Sequence, residues 1–429
     1  MKKTLTLLLT AIWALQVSAQ DVVKTGINVG PLPAVGYSSD LGWHYGALAD
    51  IFWYGDGSKY PEYVWKANVE TSWYSKGNSV YRAFFDSKYL VPGIRLSAEV
   101  VYLGNKTTNF YGFNGAAARF DPERNKITED GCGFYLMRRD LFRTELTVQG
   151  KIGESHWGWV GGIHFNSFKA GHAENKDLKA ENDYSLYDAY VDNGVIPAFE
   201  AKGGRHLEFK AGVVYDTRDH ENNPSRGTNL EAFVYGSPDI LNGRSGSDPR
   251  NHYLKFSVHF RQFFTLVPER LVFGAHLAAQ GLIAGNAPFY TLQSIQNVNR
   301  KNIITDGLGS TLTVRGTVPN RFLGNGYAWS NFELRWSFAR FKLFNQNFIL
   351  ATNPFFDMGM VIQPYHLEEM KKLGDEYYTG QKETLHMGAG GGLHIIMNQN
   401  FNISFEVGKC LNRNDGSGLG INVGLNYIF

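Results

Sequence analysis

Ile421-Asn422-Val423-Gly424-Leu425-Asn426-Tyr427-Ile428-Phe429 ends the chain, and its alternation decides the fold. In an extended strand successive side chains point to opposite faces, so Ile421, Val423, Leu425, Tyr427 and Phe429 share one side. Asn422, Gly424 and Asn426 share the other with Ile428. A strand that is apolar outside and polar or small inside fits a wall between lipid and a watery lumen. The pattern predicts a last strand over 419–429 with Tyr427 and Phe429 toward lipid.

At the opposite end, Met1-Lys2-Lys3 leads into an apolar run from Leu5 to Leu15, and Val17-Ser18-Ala19 precedes Gln20. A charged start, a short apolar stretch and small residues before a cut are the parts of a secretory signal peptide. Residues 1–19 are therefore expected to be removed, leaving residues 20–429 outside the cytoplasm. No cysteine follows the cut, which argues against a lipoprotein anchor.

Between the ends, no stretch approaches the ~18 uninterrupted apolar residues of a membrane helix. The chain has 48 glycines and 14% aromatic residues. Its mean hydropathy is negative, as expected when only every second residue meets lipid. In hydrocarbon every backbone amide needs an internal partner, which leaves closed barrels as the alternative to helices. A soluble secreted sandwich or propeller shares the composition but not the two ends. The net charge of +2 gives no reason to expect nucleic acid as a partner. Outer-membrane lipid is the expected surroundings, in a Gram-negative bacterium.

Alternating segments bounded by turn residues predict strands at 33–38, 43–53, 61–72, 78–90, 94–103, 133–152, 157–168, 205–216, 227–236, 252–264, 270–282, 326–340, 347–358, 384–397, 401–409 and 419–429. The 133–152 segment has room for a bulge or a bent strand. Sixteen is even, as single-chain bacterial barrels require. Short connections (153–156, 217–226, 265–269, 341–346, 398–400) alternate with long ones (104–132, 169–204, 237–251, 283–325, 359–383, 410–418). With short periplasmic turns and long extracellular loops, both termini fall in the periplasm. The prediction is an all-β transmembrane antiparallel barrel, one domain over 20–429. About a dozen residues between Gln20 and the first strand are too few for a folded periplasmic domain, which needs ~50.

Three stretches carry a family resemblance. The first is Tyr215-Asp216-Thr217-Arg218-Asp219 with Pro224, Arg226 and Gly227, on a predicted periplasmic turn. The second is Val314-Arg315-Gly316, inside the longest loop. The third is Phe355-Phe356-Asp357-Met358-Gly359, with Glu333 in the preceding strand. Together they resemble the BamA/TamA-type outer-membrane assembly superfamily, also called the bacterial surface antigen family. Residues 205–429 carry the likeness best. Pro31–Tyr37 and Asn109–Phe113 are similar less specifically. The resemblance implies that the 283–325 loop folds back into the barrel and that Arg315 meets Asp357 and Glu333 there. A guanidinium suits that role, because its planar fork can meet two carboxylates at once. Thr317 stands where the family has an aromatic. The ending on Leu425, Tyr427 and Phe429 resembles the C-terminal signal by which outer-membrane barrels are recognised for insertion.

By the same resemblance the function is non-enzymatic help in protein assembly or translocation at the outer membrane. A weak seam between first and last strands would open, and a short first strand with Pro31 and Pro33 at its start would limit its ladder. Members of the family usually carry POTRA domains, so this reads as a barrel-only member beside a POTRA-bearing barrel or periplasmic chaperone. The alternative is a passive channel or structural surface antigen. No residue spacing points to a catalytic group, cofactor or metal. Cys132 and Cys410 could form an extracellular disulfide. Trp157-Gly158-Trp159 and Ile51–Tyr54 read as interfacial girdle residues, and Gly388–Gly392 as a close-packing or bending point.

Overall fold

β-Branched and aromatic residues alternate here with small or polar ones, and each pleat sends the two kinds to opposite faces. The computed structural model describes residues 23–38, 41–175, 177–179, 184–243, 250–298, 307–309, 312–344, 346–399, 401–412, 415–416, 419–425 and 427–429. The expected cleavage after Ala19 and the side chain of Leu425 lie outside the described residues.

The 18 strand segments form one sheet. Setting aside the two-residue segment Thr108–Asn109 and joining two collinear pieces leaves sixteen wall strands. These are β1 (Ile27–Ser38), β2 (Gly42–Trp53), β3 (Trp65–Tyr74), β4 (Ser79–Val91), β5 (Ile94–Gly104), β6 (Leu136–Lys151), β7 (Trp157–Gly171) and β8 (Gly203–Asp216). The second half is β9 (Gly227–Ser237), β10 (Tyr253–Val267), β11 (Leu271–Gly285), β12 (Gly326–Leu343), β13 (Gln346–Thr352 with Phe355–Gln363), β14 (His386–Met397), β15 (Phe401–Cys410) and β16 (Leu419–Leu425). Each pairs antiparallel with the next.

β13 is interrupted at Asn353-Pro354 because proline has no N–H for the ladder. It still runs as one pass. The Leu334 N–H donates to the Pro354 carbonyl at 3.0 Å and the Asn353 N–H to the Gly392 carbonyl at 3.1 Å.

Burial is inside out. Val69, Val100, Leu146, Ile163, Phe209, Val234 and Leu277 are exposed on the outer face, whereas Asn68, Glu99, Glu145, His164, Glu208 and Glu231 are buried within. This is the arrangement of a wall with lipid outside and a polar lumen. The fold is a transmembrane antiparallel β-barrel with its longest loop folded inward.

Some expectations need correction. β1 is not short: it begins at Ile27, because only one of its two edges has to supply ladder donors. The 133–152 segment holds no bulge, and β6 pairs without a register shift on both sides. Trp157 and Trp159 are exposed outward, but Phe52 and Tyr54 are buried with Tyr63. They line the inside of the rim where the chain enters, and are not girdle residues. No disulfide joins Cys132 and Cys410.

Candidate functional site: the pinned loop and the open seam

Loop 286–325 leaves β11 and enters the lumen, carrying Val314, Arg315 and Gly316 to its tip. The structure brings Arg315 together with Asp357 and Glu333. Arg315 Nε and Nη2 donate to Asp357 Oδ2 and Oδ1 at 2.7 and 2.9 Å, and Nη1 donates to Glu333 Oε1 at 2.6 Å. The Arg315 backbone N–H adds a bond to Asp357 Oδ2 at 3.0 Å. The guanidinium also lies over the Phe355 ring, 3.6 Å from its centre.

A third acid, Glu406, was missed in the sequence. Arg315 Nη1 reaches its Oε1 at 2.8 Å, and Asn353 Nδ2 bridges Glu406 and Glu333 at 3.0 and 3.2 Å. Alternation could have found it, since Phe405 faces outward and Glu406 therefore inward.

The wall is shaped for this tip. Gly388 is glycine because a Cβ there would collide with the Arg315 carbonyl oxygen. Thr317, in the aromatic's place, donates from Oγ1 to the Val314 carbonyl at 2.7 Å and closes the turn. Val314 packs with Leu308, Phe322, Tyr327, Trp329 and Val361.

The D-T-R-D turn lies at the rim where the chain enters. Arg218 grips Asp216 through Nε at 2.9 Å and Nη2 at 2.6 Å. Asp219 accepts from the N–H groups of Ser225 and Arg226 at 2.9 and 3.3 Å, and from the Ser225 hydroxyl. Burial works to raise the Asp219 carboxyl, but these hydrogen bonds hold it below the ordinary range. Pro224 is buried beneath the turn. Gly227 takes φ +103°, and a Cβ there would strike the Thr217 carbonyl. Glu221 of the same turn reaches across the mouth to Lys88 and Arg95, at 2.9 and 3.0 Å.

At the far rim, Phe110, Tyr111, Phe113, Tyr190, Tyr290 and Tyr365 belong to one buried cluster that roofs the lumen. Asn114 locks two loops by exchanging hydrogen bonds with the Tyr365 backbone at 2.6 and 2.7 Å.

The wall is closed by ladders everywhere except between its first and last strands. Among the described residues no ladder joins β1 to β16. They approach where a Cβ on Gly36 would lie 3.9 Å from the Val423 carbonyl oxygen. The backbone explains the gap. Tyr54 N–H donates to the Gly26 carbonyl at 2.9 Å, and the β1–β2 register continues unbroken from there. Even-numbered residues of β1 therefore bond to β2, and odd-numbered ones, Pro31 and Pro33 among them, face the seam. Two of its six edge positions lack an N–H.

This overturns the expected ending of the last strand. β16 stops at Leu425, and Tyr427 and Phe429 are buried inside and not lipid-facing. Counted from Gly36 and Val423, Pro33 and Pro31 lie level with the end of the chain beyond Leu425, where carbonyls would find no donor. The chain turns inward. Arg335 Nη2 then donates to the Phe429 backbone carbonyl at 2.9 Å, and its guanidinium lies 3.9 Å from the Tyr427 ring centre.

The Omp85 superfamily domain, as a family model, matches residues 67–429. The chain belongs to the Omp85 superfamily. Omp85 proteins of this fold are outer-membrane β-barrels, and so is this one. BamA from Haemophilus ducreyi lacking POTRA domains 1–3 aligns with 94% of this chain and 69% of its own, at 14% identity and a TM-score of 0.52. CdiB from Escherichia coli aligns with 94% of this chain and 62% of its own, at 12% identity and a TM-score of 0.55. At such identities the likeness is one of fold. No curated protein matches the sequence. Within this Omp85 barrel, the pinned loop and the unladdered seam are the features that a wall alone does not require.

Proposed function

We propose that this Omp85 barrel assists the assembly or translocation of polypeptides at the outer membrane, without covalent chemistry and beside a partner protein. Its termini then lie in the periplasm and the aromatic roof faces outward. The observation that carries the reading is the seam. Among the described residues fifteen neighbouring strand pairs are laddered, and β1 with β16 is the one that is not. An unladdered pair is the cheapest place to part a barrel wall, because strand edges in lipid are held by their hydrogen bonds. The Arg315 cluster keeps the loop inside and the wall in shape while the seam moves. Both the pinned loop and the roof argue against a wide passive channel.

Cysteines at Gly36 and Val423, with Cys132 and Cys410 replaced by serine, test the seam. Oxidative locking is expected to lower the amount of other folded outer-membrane proteins, with recovery on reduction. Unchanged amounts in the locked protein refute an opening seam. Affinity recovery from mildly solubilised outer membranes tests the partner. A POTRA-bearing barrel or periplasmic chaperone is expected in stoichiometric amount, and recovery of the barrel alone removes the partner from the reading.

A further inference from the structure

His386 stands at the roofed end of β14, 1% exposed, and each of its ring nitrogens faces a carboxylate. Nδ1 lies 2.5 Å from Asp415 Oδ2, and Nε2 lies 3.1 Å from Glu383 Oε1. Glu383 belongs to the connection between β13 and β14, and Asp415 to the one between β15 and β16. Glu383 also accepts from the N–H groups of Val361 and Ala116, at 2.9 and 2.8 Å. The Phe322 ring of the inward loop stacks on the imidazole, with 3.7 Å between centres. Arg321 beside it lies 3.7 Å from Asp415 Oδ1 and donates to the Gly115 and Ala118 carbonyls at 3.2 and 3.3 Å. Three connections and the inward loop therefore meet at one histidine. Opposite it on β13 is Gly359, and Asp357 of that strand is engaged by Arg315. The Cys410 thiol, at the end of β15, points to the Asn412 carbonyl at 3.3 Å.

We propose that this joint is a proton-operated latch: with the proton it fastens the β15–β16 connection to the roof and the inward loop, and without it that connection is freed. The reasoning is a count of protons. Two carboxylates facing one imidazole need two N–H groups, and a neutral ring has only one. The charged ring donates to both acids and is drawn to the Phe322 face as well. Once the proton leaves, one nitrogen turns a lone pair toward a carboxylate oxygen in a site closed to water. Such a contact cannot be kept. Glu383 still has its two backbone donors. Among the described residues Asp415 has only Arg321, beyond hydrogen-bond distance, so Asp415 is the acid that lets go. Histidine exchanges its proton within about pH 5–8, a range open to the surrounding water. The chain around β16 is thus held at one end by Arg335 through Phe429 and at the other by His386 through Asp415. The second hold answers to pH.

Cys410 reports the latch, because its side chain is buried directly before the connection that is freed. The full-length Cys132→Ser protein is folded in outer-membrane lipid vesicles and treated with a maleimide at pH values from about 5 to 8. Each rate is divided by that of the same protein unfolded in urea at the same pH. Below the thiol's own titration both rates rise alike with pH, so the ratio reports exposure. It is expected to rise several-fold across the range. Asp415→Asn, whose amide suits a neutral ring, should keep the ratio low throughout. His386→Gln, which cannot donate to both acids, should keep it high throughout. A ratio that stays flat or falls in the Cys132→Ser protein overturns the latch. So does a rise that persists in either variant, with the barrel shown to be folded by its heat-dependent gel migration. If His386→Gln does not fold, Asp415→Asn decides.

Discussion

Replacing Arg315 by alanine tests whether the loop tip is pinned by charge or by shape. Arg315 is 3% exposed and meets three carboxylates, of Asp357, Glu333 and Glu406. Glu333 keeps a second cation, because Arg335 Nε lies 2.8 Å from its Oε2. Among the described residues Asp357 has no second cation, and Glu406 has only the His394 ring, with Nε2 3.9 Å from its Oε1. The variant therefore leaves two buried carboxylates facing each other across the vacated space. Removing one partner of a buried ion pair typically costs about 3–5 kcal/mol, more from the stranded charge than from the lost attraction. At roughly 1.4 kcal/mol per tenfold, that is a shift of at least a hundredfold in the folded-to-unfolded ratio.

Urea unfolding of the purified barrel in detergent, followed by heat-dependent gel migration, measures the shift. Arg315→Lys should fall nearly as far, since an ammonium cannot span the Asp357 fork and both glutamates. The decisive variant is Arg315→Met with Asp357→Asn and Glu406→Gln. Removing the stranded charges together should restore most of the loss. If the alanine variant unfolds at the natural urea concentration, the clamp holds nothing. If the triple variant is no better than the single one, the cost came from lost packing on Phe355 and the electrostatic account is wrong.

Gly388→Val should unseat the loop tip as surely as loss of the arginine, because a side chain there meets the Arg315 carbonyl; protease cutting within 307–325 of the folded barrel would report it, and natural resistance would deny it. The plugged lumen predicts rare, short openings in planar bilayers, becoming frequent in Arg315→Ala; large steady openings of the natural protein would restore the channel reading. Burial holds the Glu200 carboxyl above its usual range, outweighing hydrogen bonds from the Phe289 N–H and the Tyr365 hydroxyl. The folded roof therefore binds this proton more tightly than the unfolded chain, and its stability falls as pH rises from ~4.3 through the folded value. Protease resistance of the roof should drop across that interval, and Glu200→Gln should flatten the drop; an identical profile in the variant rules Glu200 out as the cause.

Strand positions were legible because each wall residue answers to one local question, lipid or lumen, and alternation answers it. Sixteen passes follow from that, and so does the inward direction of Glu333 and Asp357. The pairing of Arg315 with them was legible only through the resemblance, since 42 residues separate Arg315 from Asp357. The roof could not be read: Phe110, Tyr190 and Tyr365 sit in three different loops, and nothing local says that they meet.

The last strand shows the limit of local reading most plainly. Residues 421–429 alternate without a fault, and taken alone they belong in the wall to the last residue. Whether a residue stays there depends on its neighbour's donors, and the neighbour is β1, nearly 400 residues earlier in the sequence. Pro31 and Pro33 withdraw those donors, and Tyr427 and Phe429 leave for the lumen, where Arg335 meets both. The same two prolines that hide the C-terminus from a local reading keep the seam unladdered. The feature that sequence alternation reads wrongly is therefore the one on which the proposed function depends.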